Sequence, residues 1–193
     1  GTAITLTASA TDPSSVDTAA GFTYAWSVTK GGSPYASGSG SPFSFTPDDN
    51  ASYVVTLSAT DKDSGTSSTS KTIAATNVTP TPTISGAPAS SPEGTAITLT
   101  ASATDPSSVD TATGFTYASS VTKDGSPYAS GTGSPFSFTP DDNATYIVTL
   151  SATDKDAGTS SASKTIVATN VVPTPAIAGA PASSPEGTAI TLT

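Results

Sequence analysis

The sequence predicts an all-β fold made of tandem β-sandwich units of about seven strands each, repeated every 93 residues. The period is visible because the heptapeptide GTAITLT begins at Gly1, Gly94 and Gly187. Residues 1–93 and 94–186 differ at twelve positions, so the chain contains two near-identical periods and the start of a third. Within each period apolar and polar residues alternate as in strands, and no segment shows helical spacing of useful length.

The predicted strands of the first period follow one another at short spacing, with turns rich in Gly, Pro, Asp and Ser between them. Apolar residues occupy every second position, so one face of each strand is buried and the other faces water. In chain order, the inward-facing residues are Ile4, Leu6, Ala8 and Ala10; Phe22, Tyr24, Trp26 and Val28; Phe43 and Phe45; Tyr53, Val55, Leu57 and Ala59; and Ile73 and Ala75. Residues 35–42 are predicted to form a short edge strand or a loop.

A proline-rich stretch at residues 77–94 separates the two blocks of strands, and it contains a strand signal around Thr83–Ser85. We therefore expect a sandwich lacking its first strand at 1–78, a complete sandwich at 79–171, and the first strand or strands of a third at 172–193. Two explanations remain open. The absence of an initiating Met and of a signal peptide favours a stretch of a continuous array, and the alternative is a subunit completed by a strand from an identical neighbour.

The composition narrows the chemistry that the chain can perform. Cysteine and histidine are absent, which excludes disulfides, thiolate zinc sites and the usual general base. A net charge of -9, with six lysines as the only basic residues, argues against nucleic acid as a partner. No apolar run approaches the length of about 18 residues that a membrane span needs. Low charge with abundant Ser and Thr is typical of secreted microbial repeat proteins, so we expect an extracellular or cell-surface location.

Two local motifs resemble those of Ig-like sandwiches. Tyr53 follows an acid, Asp49, by four positions and precedes a core residue, Val55, by two, which is similar to the tyrosine corner. Trp26 lies on the strand that carries the buried Trp of the same architecture.

A wider pattern resembles the PKD family and related Ig-like repeats of microbial surface proteins. It reads Tyr-x-Val-x-Leu-x-x-x-Asp-x-x-x-Gly at residues 53–65, with Tyr24-x-Trp26 upstream, and residues 146–158 repeat it. The chain departs from the family where WSVTKGG replaces the usual WxFGDG, and where Ser119 replaces the Trp in the second period. The resemblance implies a sandwich that acts as a spacer or an interaction module.

The acidic residues all fall in predicted turns and loops, and head-to-tail packing would bring many of them to one junction. The residues expected there are Asp48, Asp49, Asn50, Asn77, Asp105, Asp110, Asp154 and Asp156. Calcium takes six to eight oxygen ligands from carboxylates, carbonyls and water, so this set predicts a structural Ca²⁺ site that stiffens the joint. The alternative is that Asp and Asn serve turn geometry and capping, since no complete calcium motif is present.

Other candidate sites carry weaker signals. Asn50, Asn77 and Asn143 begin formal N-glycosylation sequons, a motif that arises often by chance in a chain rich in Ser and Thr. The lysines are interpreted as solvated residues that protect strand edges, in preference to partners in an isopeptide bond. Paired acids such as Asp48 and Asp49 do not suit glycoside hydrolysis, because adjacent turn residues point apart.

The exchange of Trp26 for Ser119 is the one difference between the periods with large energetic weight. If Trp26 is buried, its loss should cost about 3–5 kcal/mol. We therefore expect the second sandwich to be less stable, or its neighbours to fill the gap.

These observations predict a structural repeat segment of an extracellular fibre, stalk or adhesin extender, with no catalytic role and no cofactor other than the structural calcium. Its partners would be neighbouring repeats of the same chain, or identical subunits in a fibre. One alternative is a carbohydrate- or protein-binding module of a larger secreted enzyme or adhesin, which would recognise a glycan or a surface ligand. The other is a filament subunit assembled by strand donation.

Overall fold

The computed structural model describes residues 1–192, which form fourteen strands and two short helices. In the first half of the chain these are β1 (Ile4–Leu6), α1 (Ser15–Ala20), β2 (Thr23–Lys30), β3 (Ser33–Ser39), β4 (Phe43–Phe45), β5 (Ser52–Thr60) and β6 (Thr66–Ala74). The rest are β7 (Thr81–Ser85), β8 (Ser90–Pro92), β9 (Ile97–Thr104), α2 (Ser108–Thr113), β10 (Thr116–Lys123), β11 (Ser126–Thr132), β12 (Phe136–Phe138), β13 (Thr145–Thr153) and β14 (Thr159–Thr169). The all-β prediction is confirmed.

Strands β1–β6 form the first unit, a sandwich of two antiparallel sheets. One sheet has the order β3-β2-β5-β6, and the other pairs β1 with β4. The alternation seen in the sequence places one face of each strand in the core between the sheets. The buried apolar residues are Trp26, Val28, Phe43, Phe45, Tyr53 and Val55.

Strands β7–β14 form the second unit, which has two more strands than the first. Its larger sheet has the order β11-β10-β13-β14-β8, and its smaller sheet has the order β12-β9-β7. All pairings are antiparallel except the one that adds β8 beside β14. Ile84 of β7 is 8% exposed and packs into the core with Leu99, Val148 and Ile166.

The additional strands come from the proline-rich stretch. Residues 79–99 supply β7, β8 and the start of β9, and β7 pairs with β9 of the second unit. The near-identical residues 172–192 form no strand and are exposed throughout. The same sequence thus becomes a strand where a sheet edge lies beside it, since a single strand has no partner for its backbone hydrogen bonds.

The tyrosine corner is confirmed in both units. The Tyr53 hydroxyl donates to the backbone oxygen of Asp49 at 3.1 Å, and the Tyr146 hydroxyl donates to that of Asp142 at 3.1 Å. Both rings are fully buried. Each hydrogen bond ties the loop before a central strand to that strand's first core residue.

No helical spacing of useful length is visible in the sequence, yet the structure contains two short helices at equivalent places, α1 and α2. The Ser107 hydroxyl caps α2 by accepting a hydrogen bond from the Asp110 backbone N–H at 3.1 Å, and Ser14 caps α1 in the same way. Each helix has six residues, which is too short for apolar periodicity to show. The available signal was the Ser-x-x-Asp spacing of a capping box. No helix within residues 1–192 has the length and apolar character needed to cross a membrane.

Candidate functional site

The candidate site lies at the junction where the end of the first unit contacts the start of the second. The first unit contributes the β4–β5 loop and the segment after β6. The second unit contributes α2, the loop before it, and the β13–β14 turn. The sequence folds this way locally because Asp, Asn, Ser and Gly close the turns that connect the strands at each end of a sandwich.

Direct hydrogen bonds join the two units. The Asn77 side-chain amide donates to Asp154 Oδ2 at 2.9 Å, and the Ser107 hydroxyl donates to the Asp48 backbone oxygen at 2.9 Å. The Ser160 hydroxyl donates to the backbone oxygen of Pro80, which is itself buried. The segment between the last strand of one unit and the first strand of the next is therefore held against the second unit.

Asp110 lies at the centre of the junction and is fully buried. Neither of its carboxylate oxygens accepts a hydrogen bond from any residue in the described range 1–192. It belongs to two groups of three carboxylates, each with one oxygen per residue within 4.8 Å of the others: Asp105, Asp110 and Asp154, and Asp49, Asp110 and Asp156. We call the first group the inner triad and the second group the outer triad.

Lys155 lies among the acids of this cluster, and Lys30 Nζ approaches it from the first unit, 3.8 Å from Asp49 Oδ2. Lys155 Nζ lies 2.9 Å from Asp49 Oδ2 and 3.6 Å from Asp110 Oδ1, and it also pairs with Asp156. The hydrogen bonds to Asp156 and Asp49 raise the pKa of the Lys155 ammonium well above its ordinary range. Lys155 therefore stays charged, and it neutralises part of the outer triad.

Asp154 is the most firmly oriented member of the inner triad. Its Oδ1 accepts the backbone N–H groups of Asp156 at 2.9 Å and Gly158 at 2.7 Å. Burial raises the pKa of the Asp154 carboxyl, but these hydrogen bonds and the one from Asn77 outweigh burial and lower the pKa overall. An ionised Asp154 is thus fixed toward the interior of the junction.

The structure brings together at this junction the side chains of seven of the eight residues predicted for the calcium site. They are Asp49, Asn50, Asn77, Asp105, Asp110, Asp154 and Asp156. Asn50 contacts Asp156 Oδ2 at 2.6 Å when its amide nitrogen faces the acids. The backbone of Asp48 lies at the junction, where its carbonyl accepts the Ser107 hydroxyl. Its side chain does not join the other acids, because its Oδ1 lies 2.7 Å from Lys30 Nζ and accepts the Tyr53 hydroxyl at 2.7 Å.

Sequence reasoning missed three residues of the junction. Lys155 was interpreted as a solvated lysine, but it lies among the acids. Ser107 both caps α2 and contacts the first unit. Gly158 is required because an added Cβ would collide with the Asp154 carboxylate and the Asn77 amide. The available signals were the capping-box spacing for Ser107 and, for Gly158, the last position of the Tyr-x-Val-x-Leu-x-x-x-Asp-x-x-x-Gly pattern.

The three sequons have different environments. Asn143 is exposed, whereas Asn50 and Asn77 are half-buried in the junction. A glycan on Asn77 would remove its hydrogen bond to Asp154. Glycosylation stays a prediction, and the structure makes Asn143 the most accessible of the three.

The contacts of Asp48 lower the pKa of its carboxyl. Partial burial raises this pKa, but the hydrogen bonds from Lys30 and Tyr53 outweigh burial and hold the pKa below its ordinary value of 3.8. In the second unit the pKa of Asp141 is lowered first by Lys123 and then by Tyr146. The two units therefore share one acid-sensitive arrangement.

We expect acid to destabilise both units through this arrangement. A carboxyl with a lowered pKa in the folded state contributes stability that is present above about pH 4 and lost as the pH falls through the folded-state pKa. Asp48→Asn should lower the free energy of unfolding by on the order of 1 kcal/mol at pH 7, and should make stability fall less steeply in acid. Urea unfolding at a series of pH values measures both effects. Glu186→Gln, which removes the same charge from an exposed residue, is the control. An Asp48→Asn variant with the unchanged pH dependence of the parent would contradict the assignment.

Comparison with known proteins finds only distant structural similarity. No family model and no curated protein matches the chain. Solved structures similar to it include the fibronectin(III)-like modules of Clostridium thermocellum CbhA, with 15% identity, 88% of this chain and 87% of that chain covered, and a TM-score of 0.39. The amphioxus IgVJ-C2 molecule is 16% identical to this chain, the alignment covers 86% of this chain and 96% of that chain, and the TM-score is 0.39.

A third similar structure is that of three N-terminal domains of the bacteriophage RB49 Highly Immunogenic Outer Capsid protein. Its identity is 21%, the alignment covers 87% of this chain and 55% of that chain, and the TM-score is 0.35. At these identities and TM-scores the matches carry no inference about fold or function. The two sheets and their connections define an Ig-like β-sandwich protein.

Proposed function

We propose that the chain is a non-catalytic structural segment of an extracellular, PKD-like repeat array, in which stiff joints hold successive sandwiches at a fixed spacing in a fibre, stalk or adhesin extender. The observation that carries this proposal is that the segment connecting the two units is hydrogen-bonded to the second unit. β6 ends at Ala74 and β7 begins at Thr81, and Asn77 and Pro80 between them are hydrogen-bonded to the second unit. A connection held in this way limits bending between neighbours.

Near-identical repeats suit this role, because every junction in such an array would have the same contacts. The exit loop of the second unit, with Asp142 and Asn143, has the sequence of the exit loop of the first, with Asp49 and Asn50. The entry end of the first unit likewise repeats the acids of the inner triad as Asp12, Asp17 and Asp61, which lie close together there too. Each unit thus carries both halves of the junction.

The stiffness of the joint can be measured by spin labelling, because the chain contains no cysteine. We expect labels on Ser33→Cys and Ser126→Cys, two exposed and equivalent positions, to give one narrow distance distribution by pulsed electron paramagnetic resonance. Asn77→Ala should broaden this distribution, because it removes a hydrogen bond across the joint. Labels within one unit, on Ser33→Cys and Ser68→Cys, give the control width. A broad distribution between the units beside a narrow control would contradict the proposal.

The alternative of a carbohydrate-binding module has little support in the side chains. Such modules present exposed aromatic rings to sugars, and no aromatic residue in the described range 1–192 is exposed. A glycan array with the full chain tests this alternative, and specific binding would favour it over the spacer.

A second candidate function, strand-donated assembly, is favoured by an open groove in the first unit. The groove has a volume of about 250 Å³ and is lined by apolar residues that include Leu6, Trp26, Leu57 and Ile73. In the second unit, Ile84 of β7 packs against the equivalent residues. The repeat equivalent of Ile84 is Ile177, which is 77% exposed.

This candidate predicts that one copy of the 193-residue polypeptide inserts its tail into the groove of another. Sedimentation velocity across micromolar concentrations should then show association that Ile177→Asp abolishes. Ala176→Asp is the matched control, because its equivalent in β7, Thr83, faces solvent. A chain that stays monomeric at every concentration would contradict strand donation and would leave the spacer proposal untouched.

A further inference from the structure

We propose that the inner triad, Asp105, Asp110 and Asp154, binds a calcium ion, with the buried carboxylate of Asp110 as its central ligand. The proposal goes beyond the spacer function, since such a site would also serve a binding module. It rests on three independent features of the junction: an excess of negative charge, buried oxygens without hydrogen bonds, and a ligand set of oxygen alone.

The first feature is the balance of charge. The two triads together contain five carboxylates, from Asp49, Asp105, Asp110, Asp154 and Asp156. Lys155 supplies one positive charge, closest to Asp49 and Asp156 and 3.6 Å from Asp110, and Lys30 supplies another, 3.8 Å from Asp49. Like charges at these separations repel one another unless a cation lies among them. Within residues 1–192, Asp105 and Asp154 form no ion pair and Asp110 has only the contact with Lys155, so the inner triad keeps an excess of negative charge.

The second feature is the set of unpartnered oxygens. Both carboxylate oxygens of Asp110 and the Oδ2 atom of Asp105 are buried and accept no hydrogen bond within the described range 1–192. The one ion-pair contact of Asp110 is with Lys155 Nζ, 3.6 Å from its Oδ1, and a buried carboxylate without hydrogen bonds is strongly unfavourable. One oxygen from each of Asp105, Asp110 and Asp154 lies within 4.8 Å of the other two, so one cation could be held by all three residues. The neighbouring backbone also orients Asp105, since the Ser107 N–H donates a hydrogen bond to Asp105 Oδ1 at 2.7 Å.

The third feature is the chemistry of the ligands. Histidine and cysteine are absent from the chain, so the site offers only hard oxygen donors, which suit Ca²⁺ and Mg²⁺ over transition metals. The three carboxylates come from a loop, a helix and a β-turn. Calcium tolerates such irregular and flexible sets, whereas magnesium requires near-octahedral geometry and keeps most of its water. The donor set therefore favours calcium.

The first unit contains a natural comparison for this site. Asp12, Asp17 and Asp61 form the equivalent triad, but the side chain of Asp17 is 14% exposed, whereas that of Asp110 is fully buried beneath the first unit. Burial strengthens the attraction between a cation and carboxylates. We therefore expect the inner triad to bind calcium more tightly than its copy, and calcium to stabilise the contact between the units.

The test uses the full chain stripped of metal with a chelator. Titration calorimetry with CaCl₂ measures binding, and scanning calorimetry measures Tm with and without calcium. We expect Tm to rise by roughly 10 °C when calcium is one hundred times its Kd. Asp110→Asn should abolish the tighter binding and most of the rise in Tm. The matched control is Asp17→Asn, at the same position of α1, which should keep the tighter binding.

Several outcomes would overturn the proposal. One is a parent chain that shows neither heat of binding nor a rise in Tm with CaCl₂. Another is a rise in Tm with NaCl, at matched ionic strength, that equals the rise with CaCl₂, which would show that salt merely screens the net charge. An equal rise in Tm with MgCl₂ would likewise overturn the assignment to calcium. A third is an Asp110→Asn variant that still binds as the parent does. If Asp110→Asn does not fold, Asp105→Asn takes its place, and the parent titration decides the question independently.

Discussion

Trp26→Ser is expected to lower the free energy of unfolding of the first unit by about 3–5 kcal/mol, the range for truncation of a large buried aromatic. Trp26 is 7% exposed, its indole N–H donates to the Gly40 backbone oxygen at 2.8 Å, and its ring stacks on Phe43 with centroids 5.5 Å apart. The substitution removes this packing and leaves the Gly40 carbonyl without its donor. Since the first unit has no strand equivalent to β7, no side chain replaces the lost volume.

Urea unfolding followed by circular dichroism measures this loss. In the parent chain, Trp26 fluorescence identifies the transition of the first unit, because Trp26 is the only Trp in the chain. The matched control is Ser119→Ala, which removes a hydroxyl at the equivalent, buried position of the second unit and should change stability little. A loss below about 1 kcal/mol for Trp26→Ser would show that the ring contributes little to the core.

The second unit shows how a sandwich tolerates serine at this position. Ser119 lines a cavity with Ile84, Leu99 and Leu150, and the cavity measures only about 10 Å³, close to the smallest space that holds one water. Of the two outcomes expected from the sequence, this agrees with filling of the gap by neighbours. The residue that has no counterpart in the first unit is Ile84, which reaches the core from β7.

Ile84→Ala is expected to lower the free energy of unfolding of the second unit by about 2–5 kcal/mol, the usual range for a buried Ile. Ile84 is 8% exposed and lies on β7, which is bound to the rest of the second unit through its pairing with β9. The loss should appear in the transition of the second unit. The Trp26 fluorescence transition should move little, because Ile84 belongs to the other core.

Ile177→Ala supplies the matched control within the same chain. Ile177 has the same place in the repeat as Ile84 but is 77% exposed, so its truncation should leave the unfolding of a dilute, monomeric sample unchanged. Comparing Ile84→Ala with Ile177→Ala therefore separates the effect of burial on the free energy of unfolding from the effect of the local sequence. The opposite outcome is that Ile84→Ala shifts the unfolding transition of the first unit, reported by Trp26 fluorescence, and leaves that of the second unit unchanged. That result would show that β7 stabilises the first unit, contrary to the expectation.

Much of the fold could be predicted from local patterns. Alternation placed Phe43, Phe45 and Tyr53 in the core, and the Asp49–Tyr53 spacing predicted the tyrosine corner. These predictions succeed because a strand's two faces and a turn's hydrogen bonds depend on residues close in sequence. The six-residue helices α1 and α2 were missed, since their stability comes from capping and from the unit around them.

The candidate site was predictable in its location and only partly in its contacts. Head-to-tail order was enough to place Asp110 and Asp154 at the junction. It could not show that Asp48 turns away toward Lys30 or that Lys155 lies among the acids. A side chain's partner depends on rotamer and on the approach of the opposite surface, and neither is a property of the sequence around it.

The sequence by itself determined the period, the β-sandwich architecture and the inward face of each strand, because these follow from alternation and repetition along the chain. Only the tertiary structure decided which copy of a segment becomes a strand and which acid is buried. Residues 79–92 form strands because the second unit offers sheet edges, whereas residues 172–185 remain exposed. Asp110 is buried and Asp17 is not, because the first unit covers only the acids of the second. Burial is a relation between surfaces, so near-identical segments differ in burial once their neighbours differ.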